Sequence, residues 1–210
     1  MFAIDFINSK NQTHFMKKVL LAAAFVTAGF ISQAQNFGIK AALNMSKFAG
    51  DDKDFGTGLD PKFRMGVAFG GFAHISFSDQ FGFQPELLYS MEGAKYEESG
   101  LEATIKTDYI NIPLLIQYKA SGFYAETGPQ IGFLMSAKAE DEDIKDGMKG
   151  TNISWLIGLG YKLPSGFGFG ARYNLGLSNI VDEDEADVKT GGFQIALFYS
   201  FGGGSGESKK

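Results

Sequence analysis

Residues 151–177 read TNISWLIGLGYKLPSGFGFGARYNLGL. Two alternating runs flank a break at Pro164-Ser165. In the first, Ile153, Trp155, Ile157, Leu159 and Tyr161 share one face, with Gly158 and Gly160 on the other. In the second, Phe167, Phe169, Ala171, Tyr173, Leu175 and Leu177 oppose Gly168, Gly170, Arg172 and Asn174. A repeat of two belongs to strands, whose successive side chains point to opposite faces. The small, glycine-rich second face is unusual. A strand face in contact with water favours Thr, Lys and Glu, because Gly weakens strands. A narrow lumen tolerates Gly where bulkier side chains enter from opposite.

The same rhythm begins at Phe37 and gives eight segments, at about 37–46, 63–77, 81–92, 108–119, 122–137, 151–162, 166–179 and 191–201. One face of each is apolar, as with Ile110, Ile112, Leu114, Ile116 and Tyr118 in the fourth. The other face carries Lys40, Arg64, His74, Gln84, Glu86, Asn111, Gln117, Glu126, Gln130, Arg172, Asn174 and Gln194 among many glycines. Connections alternate between short (78–80, 120–121, 164–165) and long and charged (about 47–62, 93–107, 138–150, 180–190). This plan predicts an all-β fold: an eight-stranded, antiparallel, up-and-down transmembrane β-barrel with short periplasmic turns and long extracellular loops. Segments of ten or more residues suit a tilted crossing of the hydrocarbon layer. A soluble barrel would alternate too, with its apolar face inward. Against it stand the glycine-rich polar face, aromatics near segment ends (Phe63, Phe77, Phe81, Phe123, Phe167) that suit interfacial girdles, and the terminal aromatic Phe201. Pro113, inside the fourth segment, removes a ladder donor and predicts a bulge.

Composition narrows the function classes. The chain has 210 residues, of which 28 are Gly, and no Cys. Disulfides, zinc-thiolate sites, iron–sulfur clusters and thiol nucleophiles are therefore excluded. A net charge of −5 argues against nucleic acid as a partner. Beyond the N-terminus no apolar run is long enough for a membrane helix, which leaves a membrane barrel open.

The N-terminus reads as an export signal. Met16-Lys17-Lys18 is a basic start, residues 19–31 are an apolar core, and Ser32-Gln33-Ala34 sets small residues before a cleavage point. The expected organisation is an upstream extension over 1–15, a secretory signal peptide over 16–34, a barrel over 35–201 and a Gly/Ser-rich, charged tail over 202–210. Export leads to the cell outer membrane.

The stretches GIKAALNMS (38–46), QPELLYS (84–90), YINIPLL (109–115), GPQIG (128–132) and ARYNLGLSNI (171–180) resemble the outer-membrane β-barrel family common in Bacteroidota, often labelled PorT-like or "porin family". That resemblance covers essentially all of 37–201. It implies an eight-stranded barrel with both termini in the periplasm and implies no single activity. Recognition of the terminal aromatic by the barrel-assembly machinery belongs to the same implication. The nine residues after Phe201 depart from the family's usual ending.

Counted from the strand starts, Lys40, Glu86, Glu126, Arg172 and His74 fall at a similar depth, which together with Arg64 on the same polar face predicts a structural charge network in the lumen of Lys40, Arg64, His74, Glu86, Glu126 and Arg172, centred on Arg172 with Glu86 and Glu126. Buried charges need partners, since one left alone costs several kcal/mol. Eight strands leave an interior that side chains fill, so little or no conductance is expected. No catalytic residue is assigned: His74, the one histidine after the signal, falls near the inner rim, whereas lipid-modifying barrels work at the outer one. No cofactor is expected. The acidic loops contain weak Ca²⁺ candidates at Asp141, Asp143, Asp182 and Asp184, with no firm metal site. Phe48, Phe55 and Leu59 in the first long loop suggest adhesive contacts or local packing. The expected role is non-enzymatic: anchoring acidic surface loops for structural, adhesive or partner-binding purposes. The partners are outer-membrane lipid, the assembly machinery and an unidentified extracellular or periplasmic protein. The alternative is a small-solute conduit or a secretion-apparatus component.

Overall fold

A computed structural model describes residues 36–49, 61–98, 101–140, 142–181 and 188–201. Eight long strands follow one another: β1 (Asn36–Ala49), β2 (Pro61–Ser76), β3 (Phe81–Glu98), β4 (Leu101–Ala120), β5 (Phe123–Ala139), β6 (Thr151–Lys162), β7 (Phe167–Gly176) and β8 (Lys189–Phe201). A two-residue strand, Glu142–Asp143, adds to the end of β5. Each strand pairs antiparallel with its sequence neighbours, and β1 pairs with β8 from Phe37↔Phe201 to Ala49↔Lys189. The sheet therefore closes into an up-and-down barrel with no free edge.

The period-two pattern sets which face meets what. Even-numbered residues of β1, β3 and β6, even-numbered residues of β5 as far as Leu134, and odd-numbered residues of β4 point inward. The outward face stays uncovered by protein, and Leu159 and Leu197 are each 68% exposed. Removing one such side chain from water is worth ~1.5–3 kcal/mol. A wall made of them is stable in hydrocarbon and not in water. Near the short turns the outward aromatics form a belt. Phe77 stacks on Phe81, Phe81 meets Tyr118 at 5.2 Å, Phe123 meets Tyr161 at 4.8 Å and Phe167 meets Tyr199 at 4.7 Å.

The short connections are tight for local reasons. Ser121 and Gly122 have φ of 51° and 86°, the left-handed pair of a two-residue hairpin turn. A side chain at Gly122 would also meet the Tyr161 ring at 2.8 Å.

Three expectations need correction. Residues 93–107 are not a long loop. β3 and β4 stay paired from Gly93↔Lys106 to Glu98↔Leu101. At 18 and 20 residues these strands exceed a hydrocarbon crossing of about 9–11. Beyond that layer the outward face meets water, so polarity inverts: Lys95 and Lys106 point out, while Ala94 and Tyr96 point in. Phe48 likewise belongs to β1 rather than to a loop. It is buried with Ala94, Tyr96, Ile180 and Val188 inside the extended end. Phe55 and Leu59 lie outside the described residues.

Pro113 produces no bulge. Pairing with β3 lapses for two residues and resumes in the same register, Pro85↔Leu114 before and Leu88↔Asn111 after. Losing one donor removes one bond and does not require an extra residue. The β4–β5 register shift lies instead between Asp108 and Tyr109.

Candidate functional site

The polar face converges in the lumen. Lys40 on β1, Glu86 on β3, Glu126 on β5 and Arg172 on β7 meet in one layer. Arg172 grips Glu86 with a two-pronged fork, Nη1 to Oε2 at 2.8 Å and Nη2 to Oε1 at 2.6 Å. Its Nε donates to Glu126 Oε1. Lys40 Nζ lies 2.5 Å from Glu86 Oε1. The layer is tied outward by amides, with Gln84 Nε2 donating to Glu86 at 2.7 Å and Gln117 Nε2 to Glu126 at 2.8 Å. Lys40 also stands over the Phe72 and Phe198 rings, at 5.7 and 5.9 Å from their centroids. All four charged side chains are buried. Two cations meet two anions, so the layer is neutral, and bidentate geometry is the strongest form of such pairing.

Glycines make room beside this layer. Gly160 and Gly170 are register partners on β6 and β7. The Tyr124 ring lies across both: a Cβ at Gly160 would meet Tyr124 Cζ at 2.4 Å, and one at Gly170 would meet its Oη at 2.3 Å. The small residues of the lumen face are thus the complement of its large ones.

Arg64 and His74 stand apart from the layer. Arg64 partners Ser46, six residues along β1 from Lys40, and its Nη1 donates to the carbonyl of Glu92 at 2.6 Å. His74 partners Asn36, four residues from Lys40 toward the short turns. The network membership expected of Arg64 and the equal depth expected for His74 are therefore corrected: sharing a face does not bring side chains together, and distances counted along each strand ignore the stagger between strands.

Sequence reasoning missed three charged lumen residues. Glu92 is buried and accepts from Asn111 Nδ2 at 2.8 Å. Lys119 Nζ contacts His74 Nε2, and Lys162 Nζ donates to Ser200 Oγ at 3.2 Å. The available signal was the alternation itself. Glu92 shares a face with Glu86, and Lys119 with Gln117.

The layer divides the interior. On the short-turn side lies an open cavity of about 470 Å³. On the other side a pocket of about 30 Å³ lies between Asn44, Glu92, Asn111, Gln130 and Gln194. Of the Ca²⁺ candidates, Asp143 accepts from the Lys145 backbone N–H at 3.0 Å. Asp141, Asp182 and Asp184 lie outside the described residues. Among the described residues no three His, Asp or Glu side chains are grouped to hold a metal ion.

Residues 32–182 match the family model described as outer membrane protein beta-barrel domain. No curated protein matches the sequence. Among solved structures, Neisserial surface protein A is similar at 13% identity and a TM-score of 0.51, covering 78% of this chain and 96% of its own. Two others score lower. Ail, the attachment invasion locus protein of Yersinia pestis, has 18% identity, a TM-score of 0.44, and coverage of 79% and 98%. OprG from Pseudomonas aeruginosa has 15% identity, a TM-score of 0.45, and coverage of 80% and 97%. At these identities the first likeness speaks for the barrel fold alone.

Proposed function

The chain belongs to the outer membrane protein beta-barrel domain family, and from that premise we propose that it is a sealed, non-enzymatic outer-membrane anchor holding acidic loops at the cell surface. The observation that carries this reading is the neutral layer of Lys40, Glu86, Glu126 and Arg172 across the lumen. A conduit, or a secretion component that passes its cargo through the lumen, needs a path through that layer. Opening one means separating buried charges, at several kcal/mol each. A catalytic role is disfavoured because His74 sits at the short-turn end and is engaged with Lys119. The loops therefore carry the role, toward an adhesive surface or a protein partner. Lipid surrounds the apolar wall, and the assembly machinery is the transient partner during insertion. A Bacteroidota PorT-like placement fits the motif stretches around Gly38, Gln84, Tyr109, Gly128 and Ala171.

Sidedness is testable because the chain has no cysteine. Asp146, in the 140–150 connection, and Ser165, in a short turn, are both exposed. With short turns in the periplasm, Asp146→Cys on intact cells is expected to react with a membrane-impermeant maleimide. Ser165→Cys is expected to react only after the outer membrane is breached. Labelling of Ser165→Cys but not Asp146→Cys on intact cells would reverse the orientation and remove the loops from the surface.

A further inference from the structure

We propose that the cavity at the short-turn end of the lumen binds a small oxoanion of the phosphate class, held by Lys119 and Lys162, with His74 beside them. The neighbouring layer matches two cations with two carboxylates, but the described residues lining this cavity include Lys119, Lys162 and His74 and no Asp or Glu. Gln84 and Gln117 direct their amide N–H groups away from it, to Glu86 and Glu126. Among the described ion pairs neither lysine meets a carboxylate: Lys119 Nζ contacts His74 Nε2, and Lys162 Nζ donates to Ser200 Oγ at 3.2 Å. His74 is only 4% exposed and is held by Lys119 and Gln84. An anion entering the cavity therefore meets two ammonium groups with no acid lining the cavity to compete for them.

At about 470 Å³ the cavity falls within the range of small-ligand pockets. Its lining runs from Leu163 and Pro164 at a short turn to Phe72, Tyr124 and Phe198 deeper in the lumen, and it includes none of the four residues of the charged layer, so an anion can enter from the short-turn side without crossing that layer. Lysines recognise phosphate as point charges, which favours a multiply charged oxoanion over a monovalent one.

The test uses the full chain folded in detergent micelles. Inorganic phosphate is titrated at constant ionic strength, with chloride and acetate as parallel titrants. The NMR signals of the His74 ring and the Gly122 amide are followed. Phosphate is expected to produce saturable shifts confined to this end of the barrel, and chloride and acetate much weaker ones. Lys119→Gln/Lys162→Gln is expected to weaken phosphate binding by about tenfold or more, with folding verified by heat-modifiable migration. Lys106→Gln, on the outward face at the opposite end, is expected to leave binding unchanged. If the double variant does not fold, Lys162→Gln and Lys162→Arg are compared, and only the Arg variant is expected to keep full affinity. Non-saturating shifts, equal responses to chloride and phosphate, or unchanged affinity in the lysine variants would overturn the site.

Discussion

Arg172→Ala is expected to destabilise the barrel by about 3–5 kcal/mol, the usual cost of leaving buried charge unpaired. Arg172 is the only cation in contact with Glu126 among the described ion pairs, and it shares Glu86 with Lys40. Without it, one lysine faces two buried carboxylates. The compensated variant Arg172→Met/Glu126→Gln keeps Lys40–Glu86 as a one-to-one pair. It is expected to recover most of the loss, which separates unpaired charge from lost packing. Urea unfolding in micelles, followed by the gel shift between folded and unfolded forms, measures both. A loss for Arg172→Ala within ~0.5 kcal/mol, the range of ordinary surface changes, would mean that the layer does not hold the lumen together.

The second large effect is steric. Gly170→Val is expected to destabilise by about 1–3 kcal/mol, as overpacking of a filled interior does. The first atom a Cβ meets there is the Tyr124 hydroxyl at 2.3 Å, ahead of the Leu159 carbonyl at 3.1 Å. Gly170→Ala should therefore be relieved in part by Tyr124→Phe, and a double-mutant cycle over the two positions should show a favourable coupling. Additive losses would place the obstruction in the backbone instead.

The alternation that ran through the sequence also explains what it hid. Where the wall crosses hydrocarbon, apolar side chains mark the outward face, and the barrel and the inward direction of Lys40, Glu86 and Arg172 could be read directly. Above that layer the solvent outside changes and the same alternation inverts. Lys95 and Lys106 then look like loop charge, although the ladder continues beneath them. Phe48 suffered the same confusion, being an inward residue at the end of β1. Lys119 and Lys162 sit next to short turns, where a lysine is unremarkable in sequence. Only the closed barrel shows that both line one cavity. The Tyr124 slot between Gly160 and Gly170 was equally hidden, because its members come from three strands.

A barrel closed to through-flow is read out by conductance across planar lipid bilayers. Inserted wild-type chain is expected to leave the bilayer current at its baseline, and Arg172→Ala is expected to differ from wild type in stability before it differs in current. Discrete, reproducible current steps from the wild type, altered in size by Arg172→Ala, would make the lumen a path rather than a plug.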